Sequence, residues 1–137
     1  MTVEIAERIE RTLVPDSARV ATFPEKVTGC TSFEAILYDT MSELCAEYTG
    51  AYWHMYLLDN GGFYMAPALD GPMTITCSGN YFSGDMTPDA AGITACLMAF
   101  SRFAWRTHNP RHGELFHLLR HYACEHDESQ LILAAID

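Results

Sequence analysis

The sequence predicts an α+β domain in which a small antiparallel β-meander packs against several α-helices. Segments with apolar residues at helical spacing flank a central region of short aromatic and β-branched runs. Turn residues separate these runs, notably Asp-Asn-Gly-Gly at residues 59–62 and Gly-Pro at 71–72. With 137 residues, of which 49% are apolar and 19% charged, we expect one globular domain over residues 1–137.

The first elements are expected to be a helix followed by a short extended stretch. Over residues 3–14 apolar side chains recur at helical spacing, and Pro15 closes the segment. The apolar residues of 20–23 predict the extended stretch, which Pro24 ends.

A stronger helix is predicted to begin at Thr31 or Ser32. Thr31 and Glu34 have the spacing of a capping box, in which each side chain satisfies a free backbone N–H group. Apolar residues then recur on one face with acidic residues opposite. Gly50 is a suitable residue to follow the end of this helix.

Four short strands are expected in the centre of the chain. Residues 51–58 and 63–66 should pair as a hairpin, because the Asn-Gly between them tolerates the positive φ angles of a tight turn. Pro67 ends the second strand, since proline cannot donate to a sheet ladder. A third strand is predicted at residues 73–77 and a fourth beginning at 81–82.

Three helices are predicted in the C-terminal part. Thr-Pro-Asp at residues 87–89 provides a cap, a first helical residue and a favourable charge at the helix dipole, so a helix should run to about Arg106. Its nearly uniform apolar character predicts burial. The Asn-Pro pair at 109–110 breaks it, and further helices are expected at about 113–126 and 129–136.

The charge of the chain is strongly acidic, with a formal net charge of −10. Such an excess opposes binding to DNA phosphates or to an anionic membrane. Residues 27–101 contain acids but no Lys or Arg, whereas residues 102–126 contain four Arg and five His. Two interpretations remain open: complementary charges within the molecule, or an acidic face for a basic partner. Eighteen carboxylates are too sparse for a faithful imitation of DNA, which carries one charge per ~1.7 Å of helix axis.

Cysteine usage and the N-terminal sequence favour the cytoplasm. The five cysteines are widely spaced and include no CxxC pair, which argues against a zinc ribbon or a thioredoxin-like site. The first residues carry glutamates among apolar residues, unlike a signal peptide. No apolar run approaches the ~20 residues that span a bilayer.

The best metal candidate is a group of His117, His121 and Cys124. Their spacing places them on one helical face, but no glutamate lies between the histidines as in a zincin helix. The alternative is a histidine-bearing helix surface with a buried cysteine. No nucleophile elbow, P-loop or GxGxxG motif is present. We therefore predict no cofactor and no enzymatic activity.

The first strand of the hairpin has large side chains on both faces. One face carries Tyr52, His54, Tyr56 and Leu58, and the other carries Trp53, Met55 and Leu57. A half-solvated strand would have a polar face. The strand is therefore either buried on both sides or has one aromatic face that a partner covers.

The run YWHMYLLDNGGFYMAP at residues 52–67 resembles a signature of the antirestriction protein family that includes KlcA and ArdB. The similarity extends through GNYFSGDMTPDAAGITACLMAFSRFA at 79–104, LFHLLRHYACEH at 115–126 and LILAAID at 131–137. These segments cover about the last two-thirds of the chain in the order of the family.

The resemblance implies a small cytoplasmic protein of mobile elements such as plasmids, with a mixed α/β fold, that relieves restriction of incoming unmodified DNA by type I restriction–modification systems. It implies no catalytic residues. The leading hypothesis is a non-enzymatic inhibitor that contacts the restriction complex or a host factor it needs. The alternatives are an acidic DNA mimic that competes for the DNA site of the enzyme, and an unrecognised metalloenzyme or hydrolase. The candidate partner-binding residues are Trp53, His54, Tyr56, Asp59, Asn60, Tyr64, Asp85, Asp89 and Asp137.

Overall fold

Two small antiparallel sheets and five α-helices make up this computed structural model, which describes residues 8–137. The strands are β1 (Arg11–Leu13), β2 (Trp53–Leu58), β3 (Phe63–Pro67), β4 (Met73–Cys77) and β5 (Phe82–Met86). The helices are α1 (Arg19–Lys26), α2 (Cys30–Leu44), α3 (Pro88–Thr107), α4 (Pro110–Glu125) and α5 (Ser129–Ile136). The predicted α+β class is confirmed.

The predicted strand pairs are present, but the strands divide into two sheets instead of one continuous meander. β2 and β3 form the expected hairpin with Met55 opposite Met65, and β4 pairs with β5 with Ile75 opposite Gly84. The first sheet has the order β1-β2-β3, and β4 with β5 forms a second sheet. The turn between β3 and β4 therefore connects two sheets.

The long central helix α3 prevents β3 from pairing with β4. Gly92 lies against the backbone of β3, where a Cβ atom would stand 2.5 Å from Cα of Ala66. One turn later, the thiol of Cys96 accepts a hydrogen bond from the Met65 N–H at 3.3 Å and donates to its carbonyl at 3.4 Å. At Met65 the outer edge of β3 is thus satisfied by a helix side chain, and every residue of β3 is buried.

The expected helix over residues 3–14 is wrong where the structure describes a strand. β1 pairs antiparallel with β2, and the pairing continues where Val14 N donates to Met55 O at 2.8 Å. The free edge of β2 provides backbone partners for this segment, and such long-range pairing overrides local apolar spacing. Residues 3–7 of the prediction lie outside the described residues.

The predicted extended stretch at residues 20–23 is also wrong, because it lies in α1. Pro24 lies inside this helix and removes one backbone hydrogen bond. Phe23 is buried and stacks on Phe63 with ring centroids 5.6 Å apart. The burial of this ring outweighs the local preference against a helix that contains proline.

The stronger helix is confirmed as α2, but its two ends differ from those expected. It begins at Cys30 after Gly29, which has φ of +76°, and no side chain caps it. Thr31 therefore lies in the first turn and not at the cap. The helix ends at Leu44, well before Gly50. The chain then brings the Tyr48 hydroxyl to the indole N–H of Trp53, which donates to it at 2.9 Å.

The C-terminal helices follow the prediction closely. The Thr87 hydroxyl accepts a hydrogen bond from Ala90 N at 3.2 Å at the start of α3, as expected. Asn109 caps α4, because its side chain accepts from Arg111 N at 3.0 Å. The helix therefore begins at Pro110, earlier than the predicted residue 113. α5 lies within the predicted 129–136.

An ion pair between helices supports charge complementarity within the molecule. Arg102 on α3 bonds to Glu43 on α2 at 2.8 Å and to the Thr40 hydroxyl at 3.0 Å. At least part of the acidic segment thus pairs with the basic segment. No helix among residues 8–137 has the length and apolar character needed to cross a membrane.

Candidate partner-binding site

Asp89 lies at the centre of a polar cluster that joins four parts of the fold, namely α3, β1, β3 and the residue after α4. It is in the first turn of α3, where one carboxylate oxygen accepts from Nη1 of Arg11 at 2.6 Å and from the Tyr64 hydroxyl at 2.8 Å. The other oxygen lies 2.8 Å from Nε2 of His126. Arg11 Nη1 also donates to the Tyr64 hydroxyl at 2.7 Å. We call these four residues the Asp89 cluster.

The hydrogen bonds of His126 define its tautomer. The backbone N–H of Glu128 donates to Nδ1 at 3.0 Å, so Nδ1 carries no proton and Nε2 donates to Asp89. The Glu128 carboxylate in turn accepts from Thr87 N at 2.9 Å and from the Thr87 hydroxyl. The segment between α4 and α5 is thereby fixed to the start of α3, and both ring nitrogens of His126 are occupied.

The charges of the Asp89 cluster support one another. Burial alone would raise the pKa of Asp89, but hydrogen bonds from His126 and Tyr64 and the charge of Arg11 hold it below its usual value. Burial would lower the pKa of Arg11, but the Tyr64 hydrogen bond and the charge of Asp89 raise it overall. Burial, followed by the charge of Asp89, raises the pKa of Tyr64. At neutral pH the cluster is an ion pair with a neutral tyrosine.

A series of aromatic rings crosses one face of the first sheet and ends in the Asp89 cluster. Tyr56 stacks on Tyr64 at 4.9 Å between centroids, and Tyr64 stacks on Tyr122 at 5.6 Å. The Arg11 guanidinium lies 4.3 Å above the Tyr56 ring, within the range of a cation–π contact. This aromatic row consists of Tyr52, His54, Tyr56, Tyr64, Tyr122 and His126.

An open cleft of about 340 Å³ adjoins the aromatic row at Arg11. Glu125 helps to form it by accepting a hydrogen bond from Ile9 N at 2.9 Å, which attaches the end of α4 to the chain before β1. Both positive and negative side chains face the cleft. We call it the polar cleft, and it is lined by Arg8, Ile9, Arg11, Asp89, Tyr122, Glu125, His126 and Asp127.

The candidate residues of the hairpin strands separate into interior and surface positions. Trp53 and Tyr64 are buried, so they support the sheet from within and do not present a surface. His54 and Tyr56 are half-buried and belong to the aromatic row. Trp53 and Met55 face the core, so this strand has one packed face and one partly open aromatic face.

The two candidates at the hairpin turn hold the turn in place. A carboxylate oxygen of Asp59, which is exposed, accepts from Glu10 N at 3.1 Å. Asn60 donates from its side chain to the carbonyl of Leu118 at 2.9 Å and accepts from Gly62 N at 2.8 Å. The turn is thus attached to both the β1 region and α4.

The remaining acidic candidates lie elsewhere on the surface. Asp85 on β5 accepts from the Thr74 hydroxyl at 2.7 Å, and exposed Asp137 follows α5. Within residues 8–137, no hydrogen bond or ion pair joins Asp59, Asp85 or Asp137 to the Asp89 cluster. The structure therefore brings together only part of the predicted set, namely His54, Tyr56 and Tyr64 of the aromatic row with Asp89.

The metal candidates His117, His121 and Cys124 are all exposed on α4. In the part of the chain that the structure describes, no group of three or more His, Cys, Asp or Glu is arranged to hold a metal ion.

Sequence reasoning missed Arg11, Tyr122, His126 and Glu128. Arg11 was assigned to a helix, and the other three lie more than thirty residues from Asp89 along the chain. The Thr-Pro-Asp start of α3 identified Asp89 only as a charge at a helix end. No local pattern marks the partners that reach it from β1 and α4.

The thiols are expected to differ sharply in reactivity. Burial raises the pKa of Cys96 to about 12, and only the thiolate reacts with alkylating agents. Exposed Cys124 should therefore be modified by iodoacetamide in the native protein, whereas Cys96 should react only after unfolding, as followed by peptide mass spectrometry. Rapid modification of native Cys96 would show that α3 does not cover β3 as described.

Comparisons with known proteins agree on one family. A sequence model described as "Antirestriction protein" matches residues 46–137. Antirestriction protein KlcA from Escherichia coli is 42% identical over 108 residues, which are 76% of this chain and 74% of that protein. The uncharacterized protein YfjX from Escherichia coli K12 is 34% identical over 133 residues, covering 92% and 86% of the two chains.

A solved structure superposes on the whole chain with a TM-score of 0.90 and 37% identity, covering 100% of both chains. It comes from work on KlcA and ArdB, for which a novel fold and antirestriction activity against type I DNA restriction systems in vivo but not in vitro were described. The family match spans more than half of the chain, and both sequence and fold agree with it. The chain belongs to the antirestriction protein family.

Proposed function

We propose that this protein relieves restriction of incoming unmodified DNA by type I restriction–modification systems, and that it does so in the cytoplasm as a non-enzymatic inhibitor that contacts another protein. Family membership supports the activity. The observation that carries the mechanism is that the similar KlcA and ArdB proteins act against type I systems in vivo but not in vitro. An inhibitor that occupied the DNA site would also inhibit the purified enzyme. A host factor that restriction requires is therefore the favoured partner.

The chemistry of the Asp89 cluster supports a role without catalysis. A histidine that acts as general base needs one ring nitrogen free to accept a proton from the substrate. In His126, Nδ1 accepts from Glu128 N and Nε2 donates to Asp89. The Tyr64 hydroxyl is likewise engaged by Arg11 and Asp89. The cluster is built to hold elements together.

The distribution of acidic groups supports contact with a protein over imitation of DNA. The charge of Asp89 is balanced by Arg11, and Glu43 pairs with Arg102. Exposed Asp59, at the hairpin turn, and Asp85, on β5, lie on different sheets. A DNA mimic needs long rows of carboxylates at regular spacing, whereas these groups are partly neutralised and dispersed.

The activity test is the plating of unmodified and modified phage on cells that carry a type I system. We expect the protein to raise plating of unmodified phage and to leave modified phage unchanged. The double variant Asp59→Asn with Asp85→Asn should reduce relief, because both exposed carboxylates are candidate contacts. Asp39→Asn, an exposed acid on α2, is the matched control and should retain relief. Absence of relief by the unaltered protein would refute the proposed function.

A second experiment separates the host-factor mechanism from DNA mimicry. The purified protein is added to a purified type I enzyme with unmodified DNA, with and without an extract of unrestricting cells. We expect inhibition only with the extract. The contrary result is inhibition of the purified enzyme without the extract, weakened by salt and relieved by competing duplex DNA. That result would indicate DNA mimicry in place of the host-factor mechanism. In-cell crosslinking during entry of unmodified DNA then identifies the contacted protein.

A further inference from the structure

We infer that the polar cleft and the aromatic row together form a docking surface for an extended protein segment that presents a carboxylate to Arg11. This inference rests on the proposed function, because it names the chemistry of the partner that the inhibitor contacts. Arg11 is the residue at which the cleft and the row meet.

The guanidinium of Arg11 is held in position while part of it stays free. Nη1 makes both of its hydrogen bonds within the Asp89 cluster, to Tyr64 and Asp89, and the guanidinium carbon lies 4.3 Å from the centroid of the Tyr56 ring. Within residues 8–137, Nε and Nη2 have no hydrogen-bond partner, and 41% of the side chain is exposed. A guanidinium ordered in this way binds a carboxylate with two parallel hydrogen bonds and loses little conformational entropy.

The other charges of the polar cleft favour a protein over a nucleic acid. Arg8 and Arg11 face the same cleft as three acids, which are Asp89, Glu125 and Asp127. A phosphate backbone would bring several negative charges near these acids and would be repelled. A protein segment can place one acidic residue against Arg11 and basic residues against the acids, and so match the mixed charges of the cleft. The net charge of −10 also opposes the approach of a nucleic acid.

The aromatic row supplies apolar contact area next to Arg11. Tyr52 is 51% exposed and Leu13, which lies opposite Tyr56 in the sheet, is 52% exposed. Exposed tyrosines bury large areas at a small entropic cost and commonly anchor interfaces. A segment that binds here can cover this apolar surface while its carboxylate reaches Arg11.

The backbone of β1 offers further hydrogen bonds to an extended segment. Val14 N donates to β2, and the Glu10 carbonyl accepts from Asp59 N, so the alternate residues Arg11 and Leu13 direct their backbone groups away from β2. β1 is the outer strand of its sheet among the described residues. Strand addition at such an edge is a common mode of peptide recognition.

The test titrates the full-length, ¹⁵N-labelled protein with two dipeptides and follows the Nε–H signal of Arg11 by NMR. The acid probe is acetyl-Glu-Tyr-amide, and acetyl-Gln-Tyr-amide is its neutral match. We expect a saturable shift with the acid probe and binding about tenfold weaker with the neutral probe, because a charge-assisted pair is lost. Equal binding of the two probes, or no shift with either, would overturn the inference. Tighter binding of a six-nucleotide oligo(dT) than of the acid probe would also overturn the inference, and would indicate a nucleic-acid surface instead.

Two variants connect the surface to activity, and a third is the control. Arg11→Lys keeps the charge beside Asp89 but loses the planar fork, and Leu13→Ser removes exposed apolar area without touching the cluster. Both should bind the acid probe more weakly, as followed by the backbone N–H signals of β1 because Arg11→Lys lacks the Nε–H group, and both should relieve restriction less. Arg111→Lys, whose side chain pairs with Glu114 on α4, should change neither.

The two proposals fail in distinguishable ways. If the unaltered protein gives no relief of restriction but binds the acid probe selectively, the proposed function fails and the docking surface stands. If relief is normal in Arg11→Lys and in Leu13→Ser, with both variants folded by circular dichroism, the docking surface is refuted and the proposed function stands.

Discussion

The Asp89→Asn variant is expected to lose about 2–3 kcal/mol of unfolding free energy at pH 7. Asparagine keeps the size of the side chain, but it removes the charge that balances Arg11. It also places an amide donor or an uncharged oxygen where Tyr64, Arg11 and His126 all donate. Because Tyr64 is buried and His126 is half-buried, water replaces their lost bonds poorly. Urea unfolding with linear extrapolation measures the change.

The effect of Asp89→Asn should depend on pH in a defined direction. The folded protein holds the pKa of Asp89 below its unfolded value, so the unfolded state binds a proton more readily. The contribution of Asp89 to stability is therefore fully present above about pH 4, the usual value for the unfolded chain. It is lost as the pH falls through the lower folded-state pKa. The stability difference between the two proteins should narrow correspondingly in acid.

Asp85→Asn is the matched control for the charge change. Asp85 is exposed, and among residues 8–137 its side chain bonds only to the Thr74 hydroxyl, so its replacement should alter stability by less than about 0.5 kcal/mol. An equal loss in both variants, or a loss in Asp89→Asn that stays constant from neutral to acid pH, would show that the Asp89 cluster does not act as an ion pair in solution.

Elements with local signals were predictable from the sequence. The Asn-Gly turn gave the β2–β3 hairpin, and Thr87 with the following proline gave the start of α3. Each signal acts within four residues, so the chain around it needs no further information. The α+β class follows from such elements, because an amphipathic helix and a two-stranded hairpin must bury their apolar faces together.

The arrangement of the sheets could not be predicted in the same way. Pairing of β1 with β2 joins Thr12 to Leu57, across a separation at which local spacing carries no information. The end of the first sheet at β3 depends on the thiol of Cys96, which satisfies Met65. Sequence reasoning assigned no role to this cysteine, because its function exists only once α3 lies on β3.

The candidate site shows the same division between local and distant signals. The aromatic composition of β2 indicates the sheet face that carries Tyr56, and contact with a partner there stays a prediction. Arg11, His126 and Glu128 come from distant parts of the chain and meet only in the fold. Their residue types are ordinary at the surface of a helix or a loop, so a single sequence offers no means of distinguishing them.

The Gly92→Ala variant is expected to destabilise the protein by about 3 kcal/mol or more. An added Cβ would stand 2.5 Å from Cα and 2.6 Å from Cβ of Ala66, and 2.6 Å from the carbonyl oxygen of Met65. Because two of these atoms belong to the backbone of β3, the helix itself must move away. That movement would also lengthen the two hydrogen bonds between Cys96 and Met65, which are already 3.3 and 3.4 Å. Thermal or urea unfolding measures the loss.

Gly113→Ala isolates packing from helix propensity, because Gly113 also lies inside a helix but an added Cβ would meet no atom within 4 Å. Alanine favours helix over glycine by about 1 kcal/mol, so Gly113→Ala should be neutral or stabilising. The two substitutions are chemically identical, and an opposite sign in their unfolding free energies assigns the loss at Gly92 to the contact of α3 with β3. If Gly92→Ala were also neutral or stabilising, the close approach that covers the edge of β3 and separates the two sheets would be refuted.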